Sequence, residues 1–331
     1  MTASKMKGFC NREEVSRMGT AHEANLRSAV VLAGGDGRRL ESFVRRLRGD
    51  TLPKQYVTLY GAHSLLDRTF ERVERLIPPD RIMTVVSREH FRYNDACRQL
   101  ARRPKDTVIV QPQNKDTAPG LLLPLAYLRK RSAHALVAVF PSDHYVTNDR
   151  VLMEHVETAF RTVERRPEVI VLLGVKPDGP ENDYGYVLPG ASMAGDERSD
   201  VRMVSRFIEK PSRRLAENLA QRGALWNTSI FVFRLQTLLD LIWGTAPVLA
   251  LAFTEIAEAI DTPREHNVIA AVYQKLPPVN FSRGVLELVS EMLPSHLAVL
   301  RVDEGSWSDW GVERRILRDL RTMNACVALP A

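Results

Sequence analysis

Cysteine is scarce, with Cys10, Cys97 and Cys326 the only three in 331 residues. They are odd in number and far apart, which argues against a disulfide framework and against thiolate zinc ligation, and fits a reducing compartment. No apolar run approaches the ~18 residues that a membrane span requires. The opening stretch, Met1 to Arg27, holds no apolar core of the length an export signal needs. The expectation is a cytoplasmic protein with no membrane partner, in which residues 1–27 form a polar extension. Internal repeats and low-complexity blocks are missing. So are two common phosphate cradles: no Walker loop ending in Gly-Lys-Ser/Thr is present, and a dinucleotide fingerprint would need glycine where Leu40 stands.

Charge of one sign is also in short supply. Lys and Arg number 46 against 40 Asp and Glu, a formal net charge of +6. Acidic residues are interspersed nearly everywhere, and the local basic excess is confined to Arg38–Arg48. That excess suits a nucleotide phosphate better than a duplex, so no nucleic-acid partner is expected.

What is present centres on Val30 to Gln55, VVLAGGDGRRLESFVRRLRGDTLPKQ. A short apolar run stops at Gly34-Gly35, Gly37 follows, and basic residues accumulate before Pro53-Lys54-Gln55. The order predicts a buried strand, a tight loop and cationic side chains. Glycines bring several N–H groups against one anion, and Arg38, Arg39 and Lys54 can neutralise its oxygens. Alone, the loop fits equally well a strand-to-helix turn with solvated arginines.

Beyond it, periodicity predicts helices at 65–76, 89–102, 118–130 and 152–164, alternating with strands at 81–87, 107–110, 135–140 and 169–175. Alternation of this kind implies a parallel sheet covered on both faces, with ligands at the carboxyl ends of its strands. Three such ends carry polar signals: the glycine loop, Gln111–Gly120 (QPQNKDTAPG) and Phe140–Val146 (FPSDHYV). Asp143 in the last is either a helix cap or a cation ligand. After Val175 the alternation breaks into apparent antiparallel strands at 183–190, 201–212 and 225–234, with a helix at 214–221, as in a smaller substrate-covering region. Gly185 fits a close backbone approach or a bulge, and Glu209-Lys210-Pro211 a site or a surface ion pair. Residues 235–290 read as mostly helical packing. Residues 297–320 return to a strand, then Trp307-Ser-Asp309-Trp-Gly311 and a last helix that Asp309 could cap.

The ordered set AGGDGRRL, PKQ, QPQNKDTAPG, FPSDH, DYGYV, FIEKP, LWNTSIFVF and WSDWG resembles the sugar-1-phosphate nucleotidylyltransferases, and within them most resembles the mannose-1-phosphate guanylyltransferases. The similarity runs from about Val30 to Leu320. It implies a Rossmann-like GT-A nucleotidyltransferase fold of the α/β class, with a mixed, mostly parallel sheet flanked by helices. One domain over 28–325 would divide into a nucleotide half, 28–175, and a sugar half with C-terminal helices, 176–325. The implied substrates are GTP and mannose 1-phosphate, and the implied products GDP-mannose and pyrophosphate. Position by position, the resemblance puts Gly34, Gly35, Arg39 and Lys54 at the triphosphate. It puts Gln111, Pro112 and Asn114 near guanine and ribose, Asp143 and Asp309 on Mg²⁺, Gly185, Glu209 and Asn227 at the sugar hydroxyls, and Lys210 at the sugar phosphate. The catalytic set would be Arg39, Lys54, Asp143 and Lys210.

Two departures stand out. The segment between Leu40 and Pro53 looks long, and Asn280 in VNFSRGVLE stands where many relatives carry Asp. His144 reads as a hydrogen-bonding spacer rather than a catalyst. No β-helix or isomerase-like region follows the last helix, so the transferase activity alone is expected, with a homodimer through the C-terminal helices as a further expectation. The same chemistry on another sugar or base, and a catalytically silent nucleotide-sugar-binding regulator, stay open.

Overall fold

The computed structural model describes residues 27–193, 200–302 and 307–323; the expectations for residues 1–26, and Cys10 and Cys326, lie outside them. Strands β1 (Arg27–Leu32), β2 (Ile82–Ser87), β3 (Val108–Gln111) and β4 (Leu136–Pro141) form the parallel run that the alternation implies. Two short strands, β5 (Tyr145–Val146) and β11 (Trp307–Ser308), pair with each other. The main sheet continues through β6 (Ile170–Val175), β7 (Gly185–Ser192), β8 (Val201–Glu209), β9 (Leu225–Arg234) and β10 (Leu297–Val302). Its order among the described residues is β3-β2-β1-β4-β9-β6-β10-β8-β7. β9 runs antiparallel to β4 and β6, β6 and β10 are parallel, and β8 and β7 close the sheet antiparallel. The sheet is therefore mixed, its parallel run lying in the first half of the chain.

Strand alternation sends successive side chains to opposite faces. Val31, Phe140 and Val171 join one core with Phe70, Val156 and Phe160, from α2 (Leu65–Val73) and α5 (Asp149–Arg165). Val30, Val139 and Leu172 join the other, with Leu121, Leu238, Phe253 and Tyr273. Those last four come from α4 (Thr117–Arg131), α7 (Leu235–Thr245), α8 (Pro247–Ala259) and α9 (Glu265–Lys275). Helix α4 is apolar around most of its circumference, as suits burial against both sheet and helices. Capping fixes several starts: Ser64 accepts from the Asp67 N–H at 3.0 Å, and Asn148 from the Val151 N–H at 3.2 Å.

Two local expectations change. The long segment after Leu40 is mostly helix α1 (Glu41–Arg48), stopped by left-handed Gly49, whose N–H reaches the Arg45 carbonyl. Arg46 ties α1 to Glu313 of the last helix, α11 (Glu313–Thr322), at 2.6 Å. The single helix predicted over 89–102 is broken: a 3₁₀ turn over Arg88–Arg92 gives way at extended Tyr93, and α3 (Asn94–Leu100) follows. Tyr93 is held at the break because its hydroxyl donates to the Thr51 carbonyl at 2.8 Å. The remaining helices are α6 (Arg213–Gln221) and α10 (Glu287–Met292), the latter entered through a π turn at Ser282–Leu286.

Candidate active site

A cleft of about 700 Å³ opens at the carboxyl ends of β1 to β4. Gly34, Gly35, Gln111, Pro112, Asn114 and Asp143 all line it, together with Arg38. The two glycines serve different ends. A side chain on Gly34 would run into the Gln111 amide, whereas one on Gly35 would meet nothing and project into open space. Gln55 fixes this turn, its Nε2 donating to the carbonyls of Ala33 and Gly35 at 2.9 Å each. Ser87 Oγ donates to the Gly34 carbonyl at 2.8 Å and accepts from Gln111 Nε2 at 3.2 Å, so β1, β2 and β3 share one network.

Lys54 sits deeper than a loop cation, only 4% exposed. Its ammonium donates to the carbonyls of Asp309 and Trp310 at 2.5 and 3.1 Å and pairs with Asp143 at 2.9 Å. One buried cation thus joins the strand-end carboxylate to the Trp307–Gly311 segment. Neither aspartate caps a helix: Asn148 caps α5, and α11 has Val312 at its N-cap with no side-chain cap. Asp309 is instead held by the Gly311 N–H at 2.8 Å, the Tyr184 hydroxyl at 3.0 Å and Arg315 at 3.1 Å, all on Oδ1. Burial works against its ionisation, but Arg315, with Lys54 nearby, outweighs it and holds the carboxyl below its ordinary range. Arg39 lies at the edge of this cluster, well exposed, with its guanidinium 3.9 Å from Asp309 Oδ2. Burial pushes His144 down to about 4, so its ring is neutral at pH 7; its Nδ1 is buried without a hydrogen-bond partner among the described residues and its Nε2 is 3.8 Å from Asp143, so the hydrogen-bonding role expected of it is not seen.

The second constellation lies between β7, β8 and β9. Gly185 pairs with Glu209, and Gly174 with Asn227, across the sheet. A Cβ on Gly185 would stand 2.6 Å from Glu209 Oε2 and 3.3 Å from Asn227 Cβ. Close approach, not a bulge, is what requires the glycine. Lys210 follows with a left-handed φ of 50°, is exposed, and makes no ion pair among the described residues. Burial, with Glu287 adding to it and Lys210 opposing, raises the Glu209 carboxyl to about 6. A folded value above the ordinary one favours the protonated form, so this group's stabilising contribution is full at low pH and is lost as pH rises through about 6. Glu209→Gln should therefore melt higher than the wild type at pH 8 and equally at about pH 3.5, below the ordinary carboxyl value of 4.5. Thermal melts at both values check this, and an equal shift at the two would refute it.

Asn114 and Asn280 are engaged in holding a turn. Asn114 Oδ1 accepts from the Asp116 N–H at 3.0 Å; Asn280 Nδ2 donates to Asp116 Oδ1 at 3.3 Å, and its Oδ1 accepts from the Arg283 N–H at 3.0 Å. Asp116, at φ 69°, starts α4 by accepting from the Thr117 N–H. Among the described residues no helix is long and apolar enough to cross a membrane, and no group of three or more His, Cys, Asp or Glu side chains is arranged to hold a metal.

The nucleotidyl transferase family model matches residues 28–316. The chain belongs to this family. It is 28% identical over 282 residues to a mannose-1-phosphate guanylyltransferase of Klebsiella pneumoniae, covering 84% of this chain and 58% of the relative. To the alginate biosynthesis protein AlgA of Pseudomonas syringae pv. tomato it is 28% identical over 294 residues, or 86% and 58%. The chain thus spans less than two thirds of these relatives. A crystal structure described as mannose-1-phosphate geranyltransferase from Thermus thermophilus superposes with a TM-score of 0.73, at 28% identity, over 88% of this chain and 79% of that one.

The candidate site also holds residues that motif reading passed over. Arg315 is 3% exposed and touches Glu181 at 3.2 Å, Asp309 at 3.1 Å and the Tyr184 ring at 4.6 Å. Its neighbour Arg314 is exposed, and the two arginines carry no sequence signal that separates them. Glu287, which ends the VNFSRGVLE segment, accepts from the Glu209 N–H at 2.8 Å.

Proposed function

We propose that the protein transfers GMP from GTP to mannose 1-phosphate, giving GDP-mannose and pyrophosphate. The observation that carries this reading is the Lys54 bridge: it stands where the nucleotide-sized cleft meets the segment whose Asp309 touches Tyr184, next to Gly185. Nucleotide would occupy the cleft between the glycine loop and Gln111–Asn114, and the sugar would lie against Gly185, Glu209 and Asn227, with its phosphate toward Lys210.

A phosphate oxygen of the sugar attacks the α-phosphorus in line. The new P–O bond forms as the bond to the β-phosphate oxygen breaks, and pyrophosphate leaves with the electron pair. The nucleophile is already ionised, so this chain supplies positioning and charge compensation rather than a general base. Arg39 and Lys54 oppose the negative charge gathering on the leaving group. The donor set suits Mg²⁺: among the described residues Asp143 Oδ1 faces a neutral His144 at 3.8 Å, and Asp309 Oδ2 has long contacts, 3.5 Å to Arg315 and 3.9 Å to Arg39. Asp143 and Asp309 would hold the ion, which takes few carboxylates and completes its shell with phosphates and water, and it would supply charge neutralisation.

The test is pyrophosphate release by purified protein with Mg²⁺, GTP and mannose 1-phosphate, beside ATP, UTP and glucose 1-phosphate. Release restricted to the GTP and mannose pair is the expected result. Release with another pair reassigns the pocket, and none with any pair removes the catalytic reading.

A further inference from the structure

Four carboxylates line the cleft: Asp36, Glu89, Asp116 and Asp143. Three are engaged within the chain. Asp36 pairs with Arg38 at 3.3 Å, Asp116 starts α4 and accepts from Asn280, and Asp143 pairs with Lys54. Glu89 makes no hydrogen bond or close ion pair among the described residues, though it feels the more distant charge of Arg92. An exposed carboxylate without a close partner is ordinary on an outer surface, but here it stands in the wall of the cleft proposed to bind nucleotide.

Its place in the fold is specific. Ser87, the last residue of β2, is the sheet partner of Gln111, the last residue of β3. Glu89 therefore lies just past one strand end while Pro112, Gln113 and Asn114 lie just past the next, and all four line the cleft. The turn carrying Glu89 is anchored on both sides. Before it, Ser87 bonds Gly34 and Gln111; after it, His90 is 2% exposed and its Nδ1 is 3.0 Å from the Tyr56 hydroxyl, with the rings edge to face at 5.4 Å. The fixed turn sets the point from which the exposed Glu89 side chain reaches into the cleft.

An ionised carboxylate accepts and cannot donate. Among the common bases, guanine offers it two adjacent donors, N1–H and the 2-amino group, matching its two oxygens. Adenine and cytosine set a ring acceptor beside their amino group, and uracil flanks one N–H with two carbonyls. Each of the latter would bring a lone pair against the carboxylate, a repulsive element that selects against them. We propose that Glu89 reads the N1–H and 2-amino edge of guanine and so sets the nucleotide preference of the site. This rests on the reading above, that the cleft holds a guanosine nucleotide.

Glu89→Gln and Glu89→Ala would be compared with the wild type in kcat/KM for GTP, for ITP, which lacks the 2-amino group, and for ATP. The wild type is expected to prefer GTP over ITP by about 10 to 100-fold, the range for one hydrogen bond to a charged group. In both variants that ratio should collapse toward one, with the change in nucleotide KM rather than kcat, and the disadvantage of ATP should shrink. Calorimetric binding of GTP and ITP should follow the same order. Loss of GTP and ITP turnover by the same factor, or an unchanged ratio, would overturn the assignment. A wild type that turns over a different nucleotide and neither GTP nor ITP would instead overturn the functional reading beneath it.

Discussion

Replacing Lys54 by methionine is expected to lower turnover by about 100-fold or more, with a smaller change in nucleotide KM. Methionine fills most of the volume but leaves two carbonyls, of Asp309 and Trp310, without their donor and Asp143 without its counter-charge. Asp143 is about a third exposed, so water can solvate it, and the stability cost comes mainly from the buried carbonyls, about 1–3 kcal/mol each. The catalytic cost has a different origin. Without the bridge, the strand-end carboxylate and the Asp309 segment are no longer held in register, and the compensation of charge at the departing pyrophosphate is lost. Steady-state kinetics beside a thermal melt separate the two effects. A variant that stays folded at the assay temperature and loses nucleotide affinity as much as turnover would show that Lys54 acts in ground-state binding instead.

Replacing Arg315 by methionine is expected to cost about 3–5 kcal/mol of stability at neutral pH, the range for a buried ion pair broken by removing one partner. Arg315 is nearly inaccessible and faces Asp309, Glu181 and Asp183 together, at 3.1, 3.2 and 3.8 Å, so its loss strands a buried carboxylate. The dependence on pH has a definite sign. Asp309 is held below its ordinary value in the folded wild type, so its contribution is present above the unfolded pKa and is lost as pH falls through the folded one. Urea denaturation should show the full gap between variant and wild type near pH 7 and a narrower gap only as pH falls below 3.8, the ordinary value of an Asp carboxyl. A gap independent of pH would mean that Arg315 matters through packing on Tyr184 rather than through charge.

Much of this architecture was legible in sequence because burial leaves a periodic trace. The runs at Ala135–Phe140 and Val169–Val175 are continuous apolar segments, as expected of strands covered on both faces, and the glycine loop follows its strand directly. Gly185 was ambiguous until Glu209 appeared opposite it; cross-strand register sets that contact, and a local motif does not encode register. Arg315 was hidden for a related reason. Which of Arg314 and Arg315 turns inward depends on how α11 rotates to bury Ile316 and Leu320, a tertiary decision between identical side chains. The break at Tyr93 was equally invisible, since the hydroxyl's partner, Thr51, is 42 positions away.

Strand β9 carries Asn227 at one end and, farther along, pairs with β4 from the first half of the chain, while also pairing with β6 and β7. The chain thus returns through the middle of a sheet it has already begun. A fragment ending near Val175 would lack that insertion, leaving the Leu136–Val139 edge and its apolar side chains open to any passing strand, the condition that favours aggregation. A division of labour between the proposed nucleotide and sugar sites is accordingly not a division of folding. The two halves form one mechanical piece, and complementation from separately expressed halves would require β9 to thread between strands before either half could solidify.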